Sequence, residues 1–189
     1  MSIASLQYWK KDSYNTIKAI SGFLCLLFCF SACAPHRKIN RLASKINCDS
    51  NFEFTLDPSS KAVRVTYTGE HYGYSEYPNY DITMRASIED LAKDNPQLKI
   101  AYTDALGFPS DSIVKVNVKI VKILWHFKDS SASMEVDLVY ELPDRKIHLV
   151  GNNKVFVAGT KKGNLFKALK HGNYQFLASY CSDSPAIPF

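Results

Sequence analysis

Several kinds of order are scarce or missing in this chain. Eight glycines and eight prolines among 189 residues exclude a collagen-like or low-complexity scaffold. Five cysteines are too few for a small disulfide-packed fold of this length. There is no Gly-x-Ser-x-Gly elbow and no phosphate-binding glycine loop, so the local signatures of common hydrolases and nucleotide-binding proteins are absent. The histidines stand at 36, 71, 126, 148 and 171, and none falls at a metal-ligand spacing. His71 between Glu70 and Glu76 is the nearest approach to a metal or acid-base cluster. The expectation is therefore a non-enzymatic protein with no cofactor and no metal. What is present is an ordinary folded composition, 46% hydrophobic, 22% charged and 13% aromatic, with a formal charge of +5. Whether that charge means nucleic acid depends on where it sits.

The N-terminus reads as a targeting segment. Lys10, Lys11 and Lys18 precede an apolar run from Ala19 to Phe30, followed by the small pair Ser31 and Ala32 and then Cys33. A positive start, an apolar centre of about twelve residues and small residues at the end are the grammar of a secretory signal. The stretch Phe30-Ser31-Ala32-Cys33 resembles the lipobox of bacterial lipoproteins. The resemblance covers about fifteen residues, with Phe30 where leucine is commonest and a long n-region. It implies cleavage before Cys33 and a diacylglycerol on its sulfur, with palmitate as the second acyl signature. The rival is an uncleaved anchor, since 18 uncharged positions separate Lys18 from Arg37, near the lower limit for a spanning helix. Ser21, Gly22, Ser31 and Pro35 interrupt that run and fit cleavage better. By the same resemblance, Ala34 after the lipidated cysteine implies sorting to the outer membrane, on its periplasmic face, in a Gram-negative cell.

Removing the signal changes the charge and cysteine arithmetic. Residues 34–45 hold four Lys or Arg and no acid, so they read as a basic tether beside anionic headgroups or lipopolysaccharide phosphates, or as a solvated linker. From Ile46 onward 16 basic residues meet 17 acidic ones. The folded part is near neutral, and no nucleic-acid partner is expected. Cys25 and Cys29 leave with the signal and Cys33 is acylated, which leaves Cys48 and Cys181. In an exported chain they are expected to pair. Such a bridge closes a loop of 134 residues, credited with about 4 to 5 kcal/mol in a chain-entropy account before strain is discounted. Cys48 as a papain-like nucleophile lacks the surrounding signature.

From Ile46 the pattern alternates between period two and period 3.6. Residues 51–56 and 62–68 alternate about Asp57-Pro58-Ser59-Ser60 and read as a β-hairpin. Met84, Ile88, Leu91 and Ala92 predict a helix, with Ser87 and Asp90 as an internal cap and Asn95-Pro96 as its end. Leu98, Ile100 and Tyr102 suggest a short strand. Ile113 to Phe127 is a long strand whose apolar parity shifts near Ile120, which predicts a bulge. Strands follow at 134–142, 147–150 and 154–158, with Lys115, Lys119 and Lys122 expected opposite Glu135, Asp137 and Glu141. Leu165, Phe166, Leu169, Phe176, Leu177 and Tyr180 mark a last helix, interrupted or kinked at Gly172. The fold class is thus α+β: an antiparallel sheet of about five to seven strands with two helices packed on one face. Residues 1–32 are signal peptide, 33–45 lipidated cysteine and tether, and 46–189 a single domain.

The segment 67–80 holds five of the eleven tyrosines. Tyr72, Tyr74, Tyr77 and Tyr80, with His71, are candidate binding residues, because tyrosine offers wide contact with a polar tip and few rotors. Packing at the end of a small sheet is the competing use. The architecture looks broadly similar to small envelope lipoproteins that serve as accessory subunits of transport or assembly machinery, although no motif is shared. That likeness implies a membrane-anchored protein with an envelope protein as partner. The alternative is a periplasmic lipoprotein that binds, or hydrolyses, a glycan at the tyrosine-rich segment.

Overall fold

The computed structural model describes residues 34–69, 79–104, 113–128, 131–156 and 160–181. In chain order the elements are α1 (Ala34–Ala43), β1 (Asn51–Leu56), a 3-10 turn (Pro58–Ala62), β2 (Val65–Gly69), α2 (Tyr80–Asp94), β3 (Ile100–Tyr102), β4 (Ile113–Lys128), β5 (Ser131–Glu141), β6 (Lys146–Phe156) and α3 (Lys161–Cys181). The class is α+β, a six-stranded sheet with α2 and α3 packed on one face. The sheet is ordered β3-β1-β4-β5-β6, with β2 also on β4.

The sheet is mixed rather than antiparallel throughout. β4, β5 and β6 pair antiparallel, whereas β1, β2 and β3 are joined by parallel ladders. The expected hairpin at 51–68 is not formed. Asp57 caps a single 3-10 turn, its carboxylate accepting the Ser59 amide at 2.8 Å. That turn steps the chain sideways without reversing it, so β1 and β2 lie in line along one edge of the 16-residue β4. Ser60, fully buried, fills the gap between them, its Oγ accepting the Ile120 amide at 2.9 Å.

The bulge falls where the parity predicted it, between Ile120 and Lys122. Val116, Val118 and Ile120 point inward before it, and Ile123 and Trp125 after it. Val121, expected inward, is the extra residue and is 51% exposed. The basic residues of β4 do not all meet the acids of β5. Lys122 stands opposite Asp137, but Lys119 stands opposite Val139. Lys115 pairs instead with Glu53 on β1.

The helices also depart from expectation in specific ways. α2 begins at Asn79, whose Oδ1 accepts the Ile82 amide, so Ser87 and Asp90 are not its cap. α3 runs unbroken for 21 residues through Gly172. Gly172 serves close packing, since a Cβ there would sit 2.4 Å from Leu138 Cδ1. Gly151, inside one continuous β6 and not between two strands, answers it from the sheet: a Cβ there would meet the Ala168 carbonyl oxygen at 2.2 Å. Phe176 then stacks on Tyr140, with ring centroids 4.6 Å apart, and meets Phe52 and Phe54 edge-on.

Residues 34–45 are not a tether. α1 buries Ile39 and Ala43, and Ile46 follows it into the core. Its basic composition hid this, because two apolar residues four apart suffice to seat a short helix when a neighbour supplies the rest of the contact.

Candidate functional site

The two cysteines expected to pair do meet. Cys48 and Cys181 form a disulfide with Cα atoms 5.1 Å apart, tying the entry to β1 to the last residue of α3. Cys33, His71, Tyr72, Tyr74 and Tyr77 lie outside the described residues. Tyr80 is described and is not a surface contact. It opens α2 at 3% exposure, with its hydroxyl donating to the Val63 carbonyl. Helix-initiating tyrosine in this position packs against the step between β1 and β2.

Beneath the helices lies a set of buried polar groups that composition alone did not reveal. Lys170 is fully buried, and its Nζ donates to Asn40 Oδ1 at 2.9 Å, Asp90 Oδ2 at 2.6 Å and Asp94 Oδ2 at 2.5 Å. Three protons meet three acceptors, on α1 and α2. Such a charge tolerates burial because it is paired and fully hydrogen-bonded. One turn on, Asn173 accepts from the Tyr140 hydroxyl at 2.8 Å and donates to Ser87 Oγ at 2.9 Å. Burial pushes the Tyr140 hydroxyl's pKa well up, so it remains a donor. His171, 3% exposed, accepts the Asn152 amide of β6 at Nδ1, and burial lowers its pKa. The signal for these residues was positional: Lys170, His171 and Asn173 flank the apolar stripe of Leu165, Leu169, Phe176 and Leu177.

The opposite face of β4-β5-β6 carries no helix among the described residues. Cross-strand rows on it run Lys119, Val139, His148; then Lys122, Asp137, Val150; then Leu124, Glu135, Asn152; then His126, Ser133, Lys154. Val121 and Val150 are 51% and 46% exposed among these charges. Toward one end the face is concave, with a hollow of about 570 Å³ edged by His126, Lys128, Ser133, Glu135, Asn152 and Lys154. His126 shares a hydrogen bond with Thr68 at 3.0 Å. At the other end Lys146 meets Glu141 at 2.6 Å, and this bond, with one from Asn117, lowers the Glu141 pKa. Strand edges, valines and mixed charges in this arrangement suit contact with another surface.

Among the described residues no group of three or more His, Cys, Asp or Glu is placed to hold a metal ion. No described helix is long and apolar enough to cross a membrane. No family model matches the chain, and no curated protein matches it. Two solved structures are similar in part. One is an uncharacterized protein with 11% identity and a TM-score of 0.38, over 72% of this chain and 93% of that one. The other is described as a neuraminyllactose-binding hemagglutinin homolog from Helicobacter pylori, with 9% identity and a TM-score of 0.30, over 74% and 87%. Values this low leave function to be argued from the chain itself.

Proposed function

We propose that this chain is a bacterial envelope lipoprotein, anchored through a lipid on Cys33 at the periplasmic face of the outer membrane. Its α+β domain acts as an accessory or structural subunit of a transport or assembly complex and performs no chemistry of its own. The partner protein docks on the open face of β4-β5-β6. The observation that carries this reading is that face: among the described residues the sheet is covered by helices on one side only, with Val121 and Val150 standing out among charged side chains. A rim of charge about a small apolar centre is the usual make-up of a non-obligate interface. The Cys48–Cys181 bridge supports an exported, oxidising setting.

Metabolic labelling with palmitate tests the anchor. Label on the native chain that disappears with Cys33→Ala is expected, and label that survives the substitution removes it. Docking is tested by a photo-crosslinking residue at Val150 in intact cells, with one at Lys61 as a control outside the face. A discrete adduct at Val150 alone is expected; equal adducts at both positions, or none, remove the docking face.

A further inference from the structure

α1 and its extension present three cations to the outside. Lys38, Arg41 and Lys45 recur at i, i+3 and i+7, and all three are exposed. At about 100° per residue they fall on one side of the helix and its extension. Ile39, Ala43 and Ile46 recur on the other side at 8%, 0% and 8% exposure. The apolar stripe is therefore taken up by the chain's own core, and the stretch from Ala34 to Asn47 contains no Asp or Glu.

This surface is held firmly. Lys170 ties the middle of α1 through Asn40 to the two aspartates of α2. Asn95, just past α2, donates to the carbonyls of Ala43 and Ile46 at 3.0 and 2.7 Å and fixes the end. A leash would need neither contact.

We infer that α1 is a rigid basic contact surface for an anionic phospholipid bilayer, adsorbed by charge and not by insertion of an apolar face. The inference rests on the proposed anchor, because Cys33 precedes Ala34 by one position and leaves no spacer between the lipid and α1. Charge complementarity selects the occupant: three cations at one surface, with the apolar side already covered, match phosphate headgroups. The domain then rests on the membrane with α1 beneath it.

The test uses the full-length protein, expressed and processed in its bacterial host and reconstituted in vesicles. One set is phosphatidylcholine alone and the other contains phosphatidylglycerol as well. A water-soluble amine reagent labels accessible lysines, which mass spectrometry quantifies relative to Lys146 and Lys154 of β6. Labelling of Lys38 and Lys45 is expected to fall about threefold or more in the phosphatidylglycerol vesicles, and to recover at about 1 M salt, where screening acts within roughly 3 Å. In the Arg41→Glu, Lys45→Glu variant, Lys38 is expected to label alike in both vesicles. Equal labelling in the two vesicles for the native chain overturns the inference, and so does protection that survives salt or charge reversal. The mass of the peptide containing Cys33 reads the anchor separately. Acylation without protection removes the surface and leaves the anchor, whereas protection without acylation removes the anchor and leaves the surface.

Discussion

Lys170 is fully buried and its three donors are all used, which ties α1 and α2 to α3. Replacing it with methionine keeps the volume and removes the charge, so Asp90 and Asp94 are left facing each other. Their side chains are 35% and 18% exposed, so water relieves part of the repulsion, and the expected loss is about 2 to 3 kcal/mol against the 3 to 5 of a wholly buried pair. Urea denaturation of Lys170→Met checks this, with Asp90→Asn and Asp94→Asn added to it recovering part of the loss. A change below about 0.5 kcal/mol in the single variant contradicts the role assigned here. His171 makes a second prediction, in which the sign follows from its bonding. Nδ1 accepts the Asn152 amide and burial lowers the pKa, so the folded state favours the neutral ring. Protons then bind the unfolded chain preferentially. The stability from His171 is fully present above its unfolded pKa of about 6.5 and is lost as pH falls from there toward the lower folded value. Unfolding midpoints measured from pH 7 down to 5 should fall, and His171→Asn, which offers an amide oxygen near the same place, should flatten that dependence. An unchanged slope contradicts it.

At the scale of elements, the close seating of α3 on β6 depends on two glycines that differ in tolerance. A Cβ at Gly151 would meet backbone, the Ala168 carbonyl oxygen at 2.2 Å, so the whole helix must shift. A Cβ at Gly172 would meet the end of the Leu138 side chain, which can rotate. Gly151→Ala should therefore cost about 3 kcal/mol. Gly172→Ala should cost about 1 kcal/mol or less, since gained helix propensity of up to about 1 kcal/mol offsets the crowding. Thermal melts of the two variants give the order directly, and a reversed order refutes this account. The same pair shows what a sequence can and cannot display. Gly172 interrupts a helical pattern and so predicts a kink, because the pattern holds no record of the Gly151 that meets it from another strand. The bulge at Val121 was legible, since parity within one strand is local information. The alternation of β1 and β2 was legible too, but their direction was not. Asp57-Pro58-Ser59-Ser60 fits a reversing turn as well as a 3-10 step, and what selects the step is β4, more than 50 residues downstream, whose Ile120 amide needs Ser60.

At the scale of the whole domain the decisive constraint is that the entry to β1 is fastened to the end of α3. Cys48 lies between α1 and β1 and Cys181 ends α3, so their bridge spans a separation of 133 residues and encloses nearly the whole domain. That pairing was legible because reading Phe30–Cys33 as a lipobox sets three of the five cysteines aside, and an exported chain is expected to oxidise the remaining two. The candidate tyrosine site was less so, since Tyr80 belongs to the core and composition does not separate a packed ring from an exposed one. A crosslink over so long a loop acts mainly on the unfolded chain, for which the entropy account gives about 4 to 5 kcal/mol; relaxation and residual structure bring the expected loss for Cys48→Ser with Cys181→Ser to about 3 kcal/mol. The domain should still fold, because the Lys170 and Asn95 contacts hold α1 without the bridge. Loss should therefore appear as a lower urea midpoint with a larger m-value, reflecting a more expanded unfolded state. Amide exchange should speed first in the last turn of α3 and in residues 46–50, ahead of β4 and β5, whose amides are protected by the central ladders. Reduction of the native protein should reproduce the variant's midpoint. Two free thiols in the oxidised native chain, or equal midpoints with and without reductant, would remove the bridge and with it the structural support for an oxidising compartment.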